Sequence, residues 1–149
     1  MSNYAYLSRD NLKLNTVDSG TADDAIYRRV LEAVSEHIDQ WCHRTFRTYL
    51  ATRVYTPRFP RHLDVEDLLA VTTLKTDEGD DLVYELTWTA NTDFELYPYN
   101  APTDRSPYWR INVRPRGSYT FPLRLQAAQL VGKWGYFEQL ETLVSQVGA

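Results

Sequence analysis

Val71-Thr72-Thr73-Leu74-Lys75-Thr76-Asp77-Glu78-Gly79-Asp80-Asp81-Leu82-Val83-Tyr84-Glu85-Leu86 is the stretch that decides the fold of this 149-residue chain. The first six residues are rich in β-branched side chains, which pack well on a pleated surface. Five turn-forming residues follow, and a second β-type run begins at Leu82, so the stretch reads as a β-hairpin. Working outward, Thr48 to Thr56, Asp93 to Tyr97, Trp109 to Val113 and Leu125 to Trp134 have the same character. Pro98, Pro102, Pro107, Pro115 and Pro122 separate them, as residues without an N–H punctuate a sheet. The middle of the chain is expected to be antiparallel β, and Asn100 to Pro107 is expected to be its most mobile loop.

Upstream, the period changes. Ile26, Val30, Ala33, Val34, Ile38, Trp41 and Cys42 recur at three- and four-residue steps, while Arg28, Glu32, Glu36, Asp39 and His43 fill the opposite arc. This predicts an amphipathic helix over 22–46, with Thr21 as its cap and Asp23 and Asp24 in the first turn, where the helix dipole favours negative charge. With Tyr27 and Leu31 the apolar arc is broad, and Trp41, near its centre, is expected to be buried. Downstream, Phe137, Leu140, Leu143, Val144 and Val147 lie at helical spacing and predict a short C-terminal helix over 137–147. Such a helix is marginal alone and needs a surface to dock on. The expected architecture is α+β in a single domain over 1–149, with a long N-terminal helix, an antiparallel β middle and a short C-terminal helix.

A net charge of −4 argues against a protein that grips nucleic acid through a general basic surface. The single Cys42 leaves no internal disulfide, which fits a reducing compartment. No apolar run approaches the roughly 20 residues needed to span a bilayer, so no membrane role is expected.

The common catalytic signatures are absent from the sequence, including a Gly-rich phosphate loop, a Gly-x-Ser-x-Gly elbow, His-Glu-x-x-His and Cys-x-x-Cys. His37, Cys42 and His43 do not have zinc-ligand spacing. Asp77, Glu78, Asp80 and Asp81 lack the ligand pattern of a calcium loop and read as a solvated hairpin tip. Asp93 and Glu95 stand two apart on a predicted strand, where they would share a face as a hydrolytic carboxylate pair does. Trp88, Trp109, Tyr97 and Tyr99 offer the rings of a carbohydrate-stacking module. These two are the alternatives to the reading below, and neither a cofactor nor a metal is called for.

Two patterns rise above this background. Tyr97, Tyr99, Tyr108, Trp109, Tyr119 and Tyr136 fall at strand ends or in loops, and such rings are enriched in protein–protein interfaces as well as in β-cores. Charge is also segregated. Asp77 to Glu95 holds seven acids and no base, whereas Arg105 to Lys133 holds six bases, Arg114 and Arg116 among them, and no acid. These blocks either pair across strands within one chain or meet between neighbouring subunits.

Four blocks carry a resemblance: Ile38-Asp39-Gln40-Trp41-Cys42-His43-Arg44-Thr45-Phe46 leading into Ala51-Thr52-Arg53-Val54-Tyr55, then Asp67-Leu68-Leu69-Ala70-Val71-Thr72-Thr73-Leu74, then Glu95-Leu96-Tyr97-Pro98, and finally Gly132-Lys133-Trp134-Gly135-Tyr136. In this order they resemble the gp6-like head–tail connectors of tailed phages, over roughly residues 20 to 137. The resemblance implies a non-enzymatic adaptor, assembled in the host bacterial cytoplasm and sited in the virion neck. It implies a ring of about twelve copies under the portal protein, a tail, stopper or tail-terminator protein on the other side, and DNA passing through the channel without specific binding. Tyr97, Tyr99, Tyr108, Trp109, Arg114 and Arg116, with the C-terminal Phe137, Leu140, Leu143, Val144 and Val147, are the candidate interface residues.

Overall fold

A computed structural model describes residues 23–136, together with 7, 10, 12, 13, 20 and 21. The chain divides into two compact units, one holding the sheet over Thr48–Phe137 and the other holding the helix.

Among the described residues the architecture is mostly β, which corrects the α+β expectation of helices at both ends. Six antiparallel strands, β1 (Tyr49–Tyr55), β2 (His62–Thr76), β3 (Leu86–Trp88), β4 (Phe94–Tyr97), β5 (Tyr108–Val113) and β6 (Ala128–Trp134), are accompanied by one helix, α1 (Asp24–Cys42). The expected C-terminal helix, with Phe137, Leu140, Leu143, Val144 and Val147, lies outside the described residues.

The helix is shorter than its sequence period implied, for a reason visible at its end. His43 adopts a left-handed conformation, φ 50°, and the chain reverses there. The N–H of Arg44 donates to Asp39 O at 3.1 Å and that of His43 to Gln40 O at 3.4 Å. This pair of bonds satisfies orphan carbonyls and stops the helix before Phe46. At the other end Asp23, not Thr21, occupies the cap position. Its packed stripe is also not the one expected. Ser35 is buried and its hydroxyl donates to Leu31 O at 2.7 Å, while Ile26, Val30, Val34, Ile38 and Trp41 are exposed, Trp41 at 80%. Periodicity located an apolar arc correctly but could not say which part of it would be covered.

In the sheet the strand order is β1-β6-β2-β5-β4, with β3 on β2 beside that path. β2 organises it. One edge of β2 pairs with β6, and its other edge serves β5 from His62 to Leu68 and β3 from Leu74 to Thr76. A strand of 15 residues can serve three neighbours because register shifts near Asp67, Ala70 and Thr72 bend it. Asp67 itself takes a φ of 45°. The predicted second hairpin strand is displaced, since residues 82–85 belong to the loop and pairing begins only at Leu86.

The core forms on one face. Leu63, Leu68, Leu74, Ile111, Leu130, Phe94, Phe121, Trp88 and Trp134 are buried together. The alternation of β6, buried at every second residue from Ala128 to Trp134, is the period of a strand with one dry face. Trp134 is fully buried. Its indole N–H donates to Ala51 O at 3.0 Å, and the Arg53 guanidinium lies 4.2 Å over its ring, a cation–π contact of about 1 kcal/mol. Trp88 stacks on Phe121 at 4.6 Å and donates its indole N–H to Thr76 Oγ1 at 2.9 Å.

Glycine has a defined role where β6 crosses β2. A side chain at Gly132 would place Cβ 2.5 Å from Ala70 O, closer than such atoms approach without backbone movement. Three residues on, Gly135 has a φ of 130° and its N–H donates to Asp67 O at 2.9 Å. The two glycines of Gly132-Lys133-Trp134-Gly135 let β6 press against the bent part of β2 and then turn away.

Candidate functional site

β4 and β5 run side by side in the register Phe94–Val113, Glu95–Asn112, Leu96–Ile111 and Tyr97–Arg110. Because side chains alternate, Phe94, Ile111 and Val113 enter the core, and the intervening positions belong to the opposite face. There Arg110 Nε lies 2.7 Å from Asp64 on β2, and Arg114 lies 3.7 Å from Glu95. Tyr99 donates its hydroxyl proton to Glu95 at 2.8 Å, and this bond raises the Tyr99 phenol above its ordinary range because ionisation would place two negative charges side by side.

Three of the expected interface rings meet at the Tyr97 end of this strand pair. Tyr97 meets Tyr99 edge-on at 5.3 Å and Trp109 edge-on at 5.0 Å, and Arg110 lies 4.8 Å over the Trp109 ring. Tyr99 is 60% exposed and Trp109 44%. Beside the cluster a groove of about 450 Å³ opens between the middle of β2 and β4, lined by Leu69, Val71, Phe94, Leu96, Tyr99 and Tyr108, with Glu95 and Asn91 as polar groups. It occupies the interval that β2 leaves between its β5 and β3 partners. Tyr108 packs against the core and contributes a groove wall. Arg116 sits exposed in the turn after β5, away from this cluster. Residues Phe137, Leu140, Leu143, Val144 and Val147 lie outside the described residues. The Asn100 to Pro107 loop is pinned by Asp104 N–H to Asn100 O at 2.9 Å and Ser106 N–H to Ala101 O at 3.0 Å, with Ala101 fully buried.

The other candidate residues make local contacts within their own loops. Asp77, Asp81 and Glu85 bring ligand oxygens within 4.8 Å of one another. Each of these carboxylates is, however, a hydrogen-bond acceptor of the loop that carries it. Asp77 accepts the N–H of Asp80 at 2.7 Å and of Leu82 at 2.8 Å, Asp81 that of Val83 at 3.0 Å, and Glu85 that of Glu78 at 3.0 Å. Burial pushes the Asp77 carboxyl up, but the surrounding backbone N–H groups outweigh it and hold the acid below its ordinary range. Arg124 closes the loop by donating to Asp77 O and Glu78 O at 2.9 and 3.0 Å. Of these contacts the Arg114–Glu95 pair joins a charge of the basic block to one of the acidic block, since the Arg124 bonds go to backbone carbonyls.

Asp93 is not a strand neighbour of Glu95. It sits in the turn before β4, where its carboxylate accepts the N–H of Thr89 at 2.8 Å. Of the rings proposed for sugar stacking, Trp88 is buried in the core, and the remaining three meet at right angles rather than as a flat platform. Cys42 is free and exposed. No helix among the described residues is long and apolar enough to cross a membrane.

The aromatic cluster was legible as a set of ring residues but not as a site, because the edge-on contacts depend on the β4–β5 register. The groove had no sequence signal, since it arises from a gap in strand pairing. Comparison with protein-family models, with curated proteins and with solved structures gave no match.

Proposed function

We propose that this chain is a subunit of a tailed-phage head–tail connector, a structural adaptor whose surface engages a portal protein and a tail-side partner without catalysing a reaction. The observation that carries this reading is the ordered set of connector-like blocks and their relation in space. Asp67 to Leu74 and Gly132 to Tyr136, 58 positions apart at their nearest ends, are hydrogen-bonded neighbours through β2 and β6. Gly132 packs directly on Ala70, and Trp134 is fully buried. In this reading the blocks supply the scaffold, and the Tyr97, Tyr99 and Trp109 cluster with its groove supplies the interaction surface. Rings in a partly desolvated cluster beside an apolar groove are the usual anchors of a protein interface. A net charge of −4 suits a channel through which DNA must slide without being held.

The test is association with the portal protein encoded by the same phage. Tyr99→Ala combined with Trp109→Ala removes two exposed rings while leaving the core, and should lower portal co-sedimentation at least tenfold, the scale of one interface hot spot, with an unchanged melting curve. Undiminished capture of a folded double variant would remove this surface from the assembly.

A further inference from the structure

The two ends of the sheet differ in a way that the connector reading does not use. β4, at one end, is blunted. It has four residues, its Phe94 carbonyl already accepts the N–H of Asn91 at 2.8 Å, and Pro98, which lacks an N–H, follows it. β1, at the other end, is seven residues long, contains no proline or glycine, and pairs in unbroken register with β6 along one edge. Among the described residues no strand pairs with its outer edge. Its outward-facing side chains are Leu50, Thr52 and Val54, with Leu50 78% exposed. A long, straight, weakly charged edge of this kind is a template for another strand, and natural proteins ordinarily protect such edges with bulges, prolines or charge.

We infer that the outer edge of β1 pairs with the same edge of a second copy of this chain, antiparallel about a two-fold axis at Thr52. The sequence Tyr49-Leu50-Ala51-Thr52-Arg53-Val54-Tyr55 is complementary to itself in that register. Leu50 faces Val54 of the other copy twice, Thr52 faces Thr52, Tyr49 faces Tyr55, and Arg53, the one charged residue of β1, faces Ala51. Apolar, Thr–Thr and aromatic cross-strand pairs all stabilise an antiparallel ladder. Neighbouring registers are worse. Moving the axis to Arg53 sets two guanidinium groups opposite each other, and moving it to Ala51 sets Leu50 against Thr52, while a one-residue slip would oppose side chains from different faces. The contact is isologous, whereas a ring needs a heterologous one. The pair therefore belongs to the free protein and neither requires nor excludes the connector reading. A single seven-residue ladder is smaller than a stable interface of about 1,200–2,000 Å², so the pair is weak and concentration-dependent.

Two measurements on the full chain, with no portal present, test the pairing. Sedimentation of the wild type should shift from monomer to dimer between about 10 and 500 μM, the range of a weak contact. In a Cys42→Ser background, Thr52→Cys should give an oxidised dimer, because opposed Cα atoms lie about 4.5–5.5 Å apart, within reach of a disulfide. Leu50→Cys should cross-link at least tenfold more slowly, since the two copies of that position are offset by four residues, roughly 13 Å along the strand. A wild type that stays monomeric throughout overturns the pairing, and so does equal cross-linking at both positions or a dimer that neither cysteine captures. Protection of the β1 amides from exchange in a monomer would show instead that the chain covers its own edge.

Discussion

Gly132 illustrates how a single missing side chain holds two strands together. Ala70 O stands where a Cβ would go, at 2.5 Å; β6 is tied to β1 on its other side, while Ala70 lies in the stretch of β2 with no strand on its other edge. A Cβ at 132 must push the Ala70 backbone toward the groove, so Gly132→Ala should destabilise the sheet by about 1–3 kcal/mol, the range of overpacking. Urea unfolding checks this, and a loss under about 0.5 kcal/mol would mean that the strands separate easily at this point. Asp77 ties the stability of its loop to pH. Its folded-state pKa is held below the ordinary value of 3.8. Its contribution is therefore fully present above the unfolded pKa and is lost as pH falls through the lower, folded value. Asp77→Asn should lower stability at pH 7 and flatten the acid limb below about pH 4. Parallel stability curves for the two proteins from pH 7 to about 2 would show that the carboxylate charge is not what the loop N–H groups hold.

Two tryptophans on two elements separate periodicity from packing. Trp134 on β6 is fully buried and Trp41 on α1 is 80% exposed. Trp134→Ala should cost about 3–5 kcal/mol through lost contacts and a cavity, whereas Trp41→Ala should stay within about 1 kcal/mol, as surface substitutions do. Equal losses in chemical denaturation would return Trp41 to a core. The same contrast explains what could be read in advance. The composition of Thr48 to Thr56, Asp93 to Tyr97 and Trp109 to Val113 located β1, β4 and β5 closely, because a half-buried strand writes its period of two into short runs. β2 was legible only in its second half, since Asp67 and the bulges around it break the alternation that a regular strand would show. The end of α1 was misplaced because His43 closes it in a conformation usually signalled by glycine. At the site, Tyr97, Tyr99 and Trp109 were identifiable as exposed-ring candidates, but Asp93 was set on the wrong element, and nothing local records a groove formed by the absence of a strand.

On the scale of the whole molecule, the segregated charges look different once the strands are placed. Arg114 pairs with Glu95, whereas Arg124 bonds the backbone carbonyls of Asp77 and Glu78 and not their carboxylates. The Arg114–Glu95 pair is partly exposed at 3.7 Å and contributes at most about 1 kcal/mol. In a connector assembly, steering would fall to Arg116 and other exposed charges. If those help assembly, Arg116→Glu should weaken portal association at low salt and have little effect where screening shortens the reach of surface charge to a few ångströms. Binding that is equally strong at both salt concentrations would leave apolar contacts through Tyr99, Trp109 and the groove as the main attraction. The proposed connector role is open to electron microscopy, through class averages of the purified chain mixed with its portal. The connector reading predicts a collar of added density, symmetric about the channel axis, on the tail-facing end of the portal. A folded chain at saturating concentration that leaves the portal bare, or binds it off the axis, would contradict it.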